Sequence, residues 1–355
     1  MSLGLHLSKQ TTIFDEKKHK SILDSIRKNS ERFNLSAIAL FILGPLNKNK
    51  IAMDYQTIKK YCEDNSIVIW PHATYIAAGV WSITRENRHI NKSLMWIRHV
   101  KDHLVIGKQL GAKGVIFHLP KQELKSIIET MEILSDCKVI NSVRRNEGIL
   151  PKISLETPAS KPGTDLTYDT PEKLNTLVKT LSENKKITLE WDIVIDSAHQ
   201  YAYGINFATD WTKWESELSD ETRSRIALIH LNGADGKNFG TGKDGHRIPL
   251  SREDSIWGNL ISDEFRDYLN RTTDKELSTK NLYNELSDSE KTIIKNSSLN
   301  NIVQWCKKNN VTMICEVDVK NYKEAKFALD VINGLLGKTG GSSLVKSLLN
   351  DLVIS

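Results

Sequence analysis

The sequence predicts an α/β fold, a single closed (β/α)8 TIM barrel of parallel strands. Three observations carry that prediction. Eight short apolar runs recur along the 355 residues. Segments with helical spacing of apolar positions fall between most of them. Six of the runs end at a His, Asp or Glu, and strand ends around a barrel converge on one mouth. An open doubly wound sheet also alternates strands with helices, but it does not so readily gather the ends of six strands.

Taken in order, Leu3–Leu7 (LGLHL) opens the chain and a helical stretch, Lys18–Phe33, follows. Ala37–Leu43 (AIALFIL) is the second run, with a helix expected over Tyr55–Asn65. Ser66–Trp70 (SIVIW) leads through Pro71 to His72. The next helix is expected at Ser93–Leu110, with Met95, Val100, Leu104 and Ile106 among its apolar positions. Gly114–Phe117 (GVIF) leads to His118 and is followed by Leu124–Leu134. Ile153–Leu155 (ISL) leads to Glu156. A helix at Thr170–Leu181 follows, with Thr170 suited to the cap and Pro171 to the first turn. Asp192–Ile195 (DIVI) leads to Asp196 and His199, and Ile226–Ile229 (IALI) leads to His230. A polar loop with Asp244 and His246 comes next. From Ile256 to Asn300 the connection is long and charge-rich, with helices expected at Asp263–Leu269 and Tyr283–Lys295. It reads as solubilising decoration on the barrel rim or as a DNA contact. Val311–Cys315 (VTMIC) then leads to Glu316. The barrel domain is expected over residues 1–336, with the rim insertion at roughly 259–299. In the tail, 337–355, GKTGGSS reads as a flexible hinge and Val345–Ile354 as a short amphipathic helix.

The formal net charge of +5 is mild. Basic residues cluster locally at Lys17, Lys18 and Lys20, at Lys48 and Lys50, at Arg85, Arg88 and Lys92, and at Arg144 and Arg145. Such clusters suit a polyanion, although a solvated helix face is the plainer role for any one of them. Cys62, Cys137, Cys306 and Cys315 show no CxxC spacing, which argues against a zinc knuckle or a redox motif. Free thiols without a visible signal peptide point to an intracellular reducing compartment, cytoplasm or nucleus. No apolar stretch approaches membrane-spanning length, so no membrane partner is expected.

Imidazole nitrogen and carboxylate oxygen hold catalytic zinc, which keeps an open position for water. The candidate ligands are His72, His118, Glu156, Asp196, His199, His230, Asp244, His246 and Glu316. Singly, each has a plainer role. His118 alone suits a hydrogen-bonded core residue, and the D-x-x-H pair Asp196/His199 or the D-x-H pair Asp244/His246 is weak by itself. Together, nine ligands are too many for one four- or five-coordinate ion. They suit three ions when one carboxylate bridges.

Seven short motifs place these residues in a fixed order: PHATY (Pro71–Tyr75), FHLP (Phe117–Pro120), LETPA (Leu155–Ala159), IDSAH (Ile195–His199), IHLN (Ile229–Asn232), KDGH (Lys243–His246) and CEVD (Cys315–Asp318). With them the sequence resembles the endonuclease IV class of apurinic/apyrimidinic endonucleases, from His6 in GLHLS to Glu316. The resemblance implies a trinuclear zinc centre, three Zn2+ per chain and no organic cofactor. His72, His118 and Glu156 would hold one zinc. Glu156, Asp196, His230 and Glu316 would hold a second, with Glu156 as the catalytic bridge. His199, Asp244 and His246 would hold the third. Paired metals suit phosphodiester cleavage because they generate a nucleophile at neutral pH and clamp the attacked phosphate. The implied reaction is hydrolysis 5′ to an abasic site, leaving a 3′-hydroxyl and a 5′ sugar phosphate, with trimming of blocked 3′ ends. The implied partner is double-stranded DNA carrying either lesion, bound by a monomer. An abasic nucleotide has no base to unstack, so flipping it out costs less. Tyr75 and Ile76 occupy the positions that the class inserts into the helix; packing at the barrel mouth is their plainer role. Lys48 and Lys50 are the nearest candidates for its basic DNA-contacting arm.

The departures fall around the ligands. Pro158–Asp165 (PASKPGTD) and Pro249–Asp254 (PLSRED) stand where the class is Gly-rich. Gly233 follows the HLN motif where Asp is usual, and Arg247 replaces a second His. They bear on DNA contacts, lesion preference and ligand orientation. Two other readings compete. A sugar isomerase or epimerase on the same barrel would use Glu156, Asp196, His230 and Glu316, and would leave the other five ligands surplus. A DNA-binding relative that had lost catalysis would have no need of the whole set.

Overall fold

A strand buried on both faces reads as a continuous apolar run, and that is how the barrel strands read here. In this computed structural model they are β1 (Leu3–Leu7), β2 (Ala37–Phe41), β3 (Val68–His72), β4 (Gly114–His118), β5 (Lys152–Glu156), β6 (Trp191–Asp196) and β7 (Ile226–His230). After a two-stranded antiparallel hairpin, β8 (Gly233–Ala234) and β9 (His246–Arg247), comes the eighth barrel strand, β10 (Thr312–Cys315). The barrel closes in the order β1-β10-β7-β6-β5-β4-β3-β2, with every pair parallel. The structure describes residues 1–7, 22–42, 54–163, 166–316 and 321–338. The expected helix at Val345–Ile354, the hinge beyond Lys338, and Lys17, Lys18, Lys20, Lys48 and Lys50 lie outside the described residues.

Strand alternation positions the site. One buried cluster, Ala37, Ala39, Trp70, Ile116, Val194, Leu228 and Ile314, is made of strand residues alone and fills the barrel interior. Side chains on a strand return to the same face every second residue. The next inward positions after Trp70, Ile116, Val194, Leu228 and Ile314 are His72, His118, Asp196, His230 and Glu316. Each polar side chain therefore stands directly above an apolar plug. Gly4 is the inward position below His6, and it admits no side chain: a Cβ there would lie 2.0 Å from the Ala37 carbonyl oxygen.

The helices at Tyr55–Asp64, Asn91–Gln109, Leu124–Asp136 and Pro171–Glu183 match expectation within a few residues. Thr170 caps the last of these through the Lys173 amide. Of the helix expected at Lys18–Phe33, Ile22–Phe33 is described. Strands β3 to β7 run on to include the polar residue that the apolar runs had been expected to stop short of. Helices at Lys138–Glu147, Ser197–Tyr203, Phe207–Ser216, Asp220–Arg225 and Ser298–Asn309 were not foreseen. Among the described residues no helix is long and apolar enough to cross a membrane.

The long connection differs most from expectation. Asp263–Arg271 forms as read, but Tyr283–Lys295 divides into Leu282–Glu285 and Asp288–Lys295, with a further short helix at Asp274–Ser278. The break is local chemistry: Ser287 and Glu290 form a reciprocal capping box that starts a new helix. The segment also adds to the core. Phe265, Leu269, Leu277, Leu282, Tyr283, Leu286 and Ile294 are buried. The segment runs along the last described helix, Tyr322–Leu335, from the Lys323 ammonium on the Asn270 carbonyl (2.8 Å) to Tyr283 packed on Gly334.

Candidate metal centre

Three groups of side chains meet where the strands end. His72, His118 and Glu156 form one, and Glu156, Asp196, His230 and Glu316 form a second that shares Glu156. Asp196, His199 and His246 form a third. Within each group, one donor atom per residue lies within 4.8 Å of every other. The third group differs from expectation. Asp196 from the barrel completes it, while Asp244 stands at the rim, 3.7 Å from His199 Nε2 and 2.9 Å from His246 Nε2.

Backbone carbonyls aim the imidazoles. His72 Nδ1–H donates to the Ala73 carbonyl (2.8 Å) and His199 Nδ1–H to the Thr157 carbonyl (2.6 Å). Such bonds fix the tautomer and leave Nε2 as the donor toward the centre. His72 Nε2 and His118 Nε2 face each other at 3.2 Å, and Glu156 Oε2 lies 3.4 and 3.1 Å from them. Asp196 has two duties. Its Oδ1 caps the helix Ser197–Tyr203, accepting from the Ala198 and His199 amides. Its Oδ2 accepts from the Asn232 side chain at 2.8 Å and lies 3.7 Å from His230 and 3.5 Å from His246.

The donors fit a metal better than they fit one another. Glu156 Oε2, His230 Nε2 and His246 Nε2 are buried without a hydrogen bond, although Glu156 Oε2 and His246 Nε2 have partners within 3.1 Å. Lone pairs that converge without aligned protons are what a cation satisfies. Charge responds accordingly. Burial alone would raise the Glu156 carboxyl, but His118 and His230 hold it well below its ordinary range. His230 and His6 do the same for Glu316 against its burial. Burial opposes charging His230, and Glu316 with Glu156 outweighs it, so that imidazole is pushed up to about 9. For His246 the burial effect is outweighed by Asp196 and Asp244, and its value rises to about 10.

No family model matches the chain. A curated relative, the probable AP endonuclease of African swine fever virus (isolate Tick/Malawi/Lil 20-1/1983), is 26% identical over 234 residues, 63% of this chain and 70% of the relative. A solved structure described as AsfvAP:AG has a TM-score of 0.67 at 21% identity, covering 95% of this chain and 98% of that one. Endonuclease IV from Thermus thermophilus has a TM-score of 0.59 at 16% identity, covering 95% and 100%. The chain shares the barrel fold of these two structures.

In this barrel, Tyr75 and Ile76 open a 3-10 helix, Tyr75–Ser82, soon after β3. Lys48 and Lys50 are outside the described residues. Arg247, where the class has His, turns to Asp235 Oδ2 at 2.7 Å and clasps the β8–β9 hairpin. A groove of about 520 Å³ beside Glu316 and His246 is lined by Arg247, Arg252, Arg266 and Lys323 and also by Glu253, which pairs with Arg247 at 3.2 Å, and Glu324. Two residues of the centre escaped the sequence reading. His6 Nδ1 lies 2.6 Å from Glu316 Oε1, with its ring stacked on His72. Asn232 accepts the Glu316 amide at 2.7 Å while its Nδ2 bonds Asp196. For His6 the available signal was strand parity, since it lies two residues after the inward Gly4.

Proposed function

We propose that the chain is a DNA repair endonuclease that hydrolyses the phosphodiester 5′ to abasic sites and trims blocked 3′ ends. The observation that carries this reading is the fusion of three donor groups through Glu156 and Asp196 at one barrel mouth. A sugar isomerase needs Glu156, Asp196, His230 and Glu316, and would have no use for His72, His118, His199 and His246 converging beside them. The viral relative's name and the fold of the solved neighbours support the same class.

The reading takes residues 1–336 as one catalytic unit acting as a monomer. His72, His118 and Glu156 would hold one zinc, and Glu156, Asp196, His230 and Glu316 a second. His199, His246 and Asp244 would hold a third. When bound, zinc supplies positive charge to the attacked phosphate and a nucleophile at neutral pH. The chain's own residues do the rest. The Ala73 and Thr157 carbonyls hold two imidazoles in the donor tautomer. His6 and Asn232 fix the Glu316 carboxylate. Arg247, Arg252 and Lys323 line a groove suited to phosphates on either side of the lesion. Water attacks phosphorus, forming a new P–O bond and giving up a proton, and the bond to the 3′ oxygen of the preceding nucleotide breaks. That oxygen takes up a proton and leaves as the 3′-hydroxyl.

The test is a duplex with one abasic analogue, incubated with zinc-loaded protein and mapped for its ends. A single nick with a 3′-hydroxyl and a 5′ sugar phosphate is expected, abolished by chelation. An intact duplex, or cleavage 3′ to the lesion, overturns the proposal.

A further inference from the structure

Phe239 is an aromatic side chain left half in solvent, 48% exposed. It lies in the β8–β9 loop, five residues before Asp244, and its ring rests on buried Tyr201 with centroids 4.9 Å apart. Tyr201 belongs to the helix Ser197–Tyr203, which also carries His199.

The loop that holds this ring is tied down. Its base is the β8–β9 pairing, reinforced by the Arg247–Asp235 ion pair. Its middle is bonded to the His199 helix twice, by Gly240 N–H on the Tyr201 carbonyl (3.2 Å) and Gly242 N–H on the Ala202 carbonyl (2.9 Å). Gly240 and Gly242 have φ of 66° and 72°, the left-handed region that makes this double turn easy for glycine. Gly242 is pressed so closely on the neighbouring loop that a Cβ would meet Lys161 Cγ at 2.7 Å. The exposed ring is therefore fixed relative to His199, Asp244 and His246. Lys161, Lys237 and Lys243 are exposed on the same two loops, with Lys237 paired to Asp235 at 3.1 Å. A rigid aromatic face among lysines is the arrangement that holds single nucleobases, the ring stacking on the base and the cations following the phosphates.

We infer that Phe239 is a stacking platform for the nucleobase beside the cleaved bond, and so a specificity-determining residue of this centre. The inference rests on the reading of the site as a nuclease. The ring takes any base by its π-face and needs that base partly unstacked. It favours a duplex already loosened by a missing base over an intact one.

The experiment compares wild type, Phe239→Ala and Phe239→Tyr, all zinc-loaded, on a duplex with one tetrahydrofuran abasic analogue and 2-aminopurine as the flanking base. Phe239→Ala should bind this duplex about tenfold more weakly, the loss of one aromatic–base stack, and raise KM with kcat little changed. Quenching of the 2-aminopurine on binding should appear with wild type and Phe239→Tyr and be lost with Phe239→Ala. Zinc content should be equal in all three. Equal affinity and equal quenching in Phe239→Ala overturn the platform, as does loss of zinc from that variant, which would make the ring a prop for the loop. Binding is read separately from nicking. A wild type that quenches the probe but leaves the strand uncut sinks the nuclease reading and keeps the platform. A Phe239→Ala protein that nicks with unchanged KM does the reverse.

Discussion

Glu156 is the residue on which two donor groups depend, and it has no exposed surface. Glu156→Gln keeps its shape and removes its charge. It should lower bound zinc and reduce abasic-site nicking by at least about a thousandfold, because two ions lose their shared anionic ligand. Wild-type metal content in that variant, by elemental analysis, would rule out Glu156 as a bridge. His6 acts at one remove. It is held well inside, where burial lowers its affinity for a proton despite the Glu316 contact. His6→Ala should free the Glu316 carboxylate and weaken metal affinity or activity by about 10- to 100-fold, the usual cost of losing a partner behind a ligand. His6→Gln, which can still donate to Glu316, should recover part of that loss; a titration of zinc affinity with all three proteins decides it. The candidate ligands were legible because His, Asp or Glu at the end of an apolar run is visible in sequence. His6 was not, because Leu7 closes its run and hides the strand's polar inward position. Asp196 in the third group was not legible either: a carboxylate that both caps a helix and faces two donor groups is known from its two oxygens, and a sequence does not show them apart.

At the level of elements, the strands were read well because burial on both faces leaves an unbroken apolar run. Helices were read where one face is exposed, as in Pro171–Glu183 with its Thr170 cap. Ser197–Tyr203 escaped because six of its seven residues are buried, leaving no polar face to produce a period. Ser298–Asn309 escaped because it follows a capping-box helix with only two residues between. Strand β6 carries a further consequence of its inward alternation. Asp192 lies on the same face as Val194 and Asp196, at the opposite end of the barrel from the metal centre. Its Oδ1 is buried without a hydrogen bond, Lys152 is 3.8 Å from its Oδ2, and burial pushes its carboxyl up to about 6. The folded protein thus holds this proton more tightly than the unfolded chain, whose Asp titrates near 4. The stability that this proton contributes is full below about pH 4 and is lost as pH rises through about 6. Asp192→Asn keeps the shape and never ionises. It should stabilise the fold by roughly 2–3 kcal/mol at pH 8, from a shift of about two units, and by less at pH 5. Urea unfolding at the two pH values measures it; an equal gain at both would mean that packing and not titration is responsible.

On the scale of the whole molecule, the barrel converts eight strand ends into one mouth, and four carboxylates and six imidazoles collect there. The closed topology was legible from the alternation of runs and helices. The path of the connection after β7 was not, because its short capped helices bury their apolar residues partly against the helix Tyr322–Leu335, a surface that no local window contains. At the mouth, Glu156, Asp196, Asp244 and Glu316 lie among His6, His72, His118, His199, His230 and His246. Without metal, protons do the neutralising. Burial opposes charge on His199, but Asp196, Asp244 and Glu156 raise it well above its ordinary value, as others raise His230 to about 9 and His246 to about 10. A histidine raised in the folded state contributes stability that is complete below its unfolded value, near 6.5, and lost as pH rises through its folded one. The metal-free protein should therefore weaken steadily between about pH 6.5 and pH 10, as three imidazoles give up protons and leave four carboxylates facing one another. Zinc reverses the linkage, because it binds the neutral imidazole and replaces the lost positive charge. Thermal unfolding with and without chelator should show a drop in Tm on chelation that is clearly larger at pH 9 than at pH 7. Calorimetric titration of zinc into the metal-free protein at pH 7 should release protons, read as a dependence of the heat on the buffer's ionisation enthalpy. A chelator effect of equal size at both pH values, with no proton release, would mean that these imidazoles are already neutral in the metal-free fold, and that the mouth is held together by packing and not by shared charge.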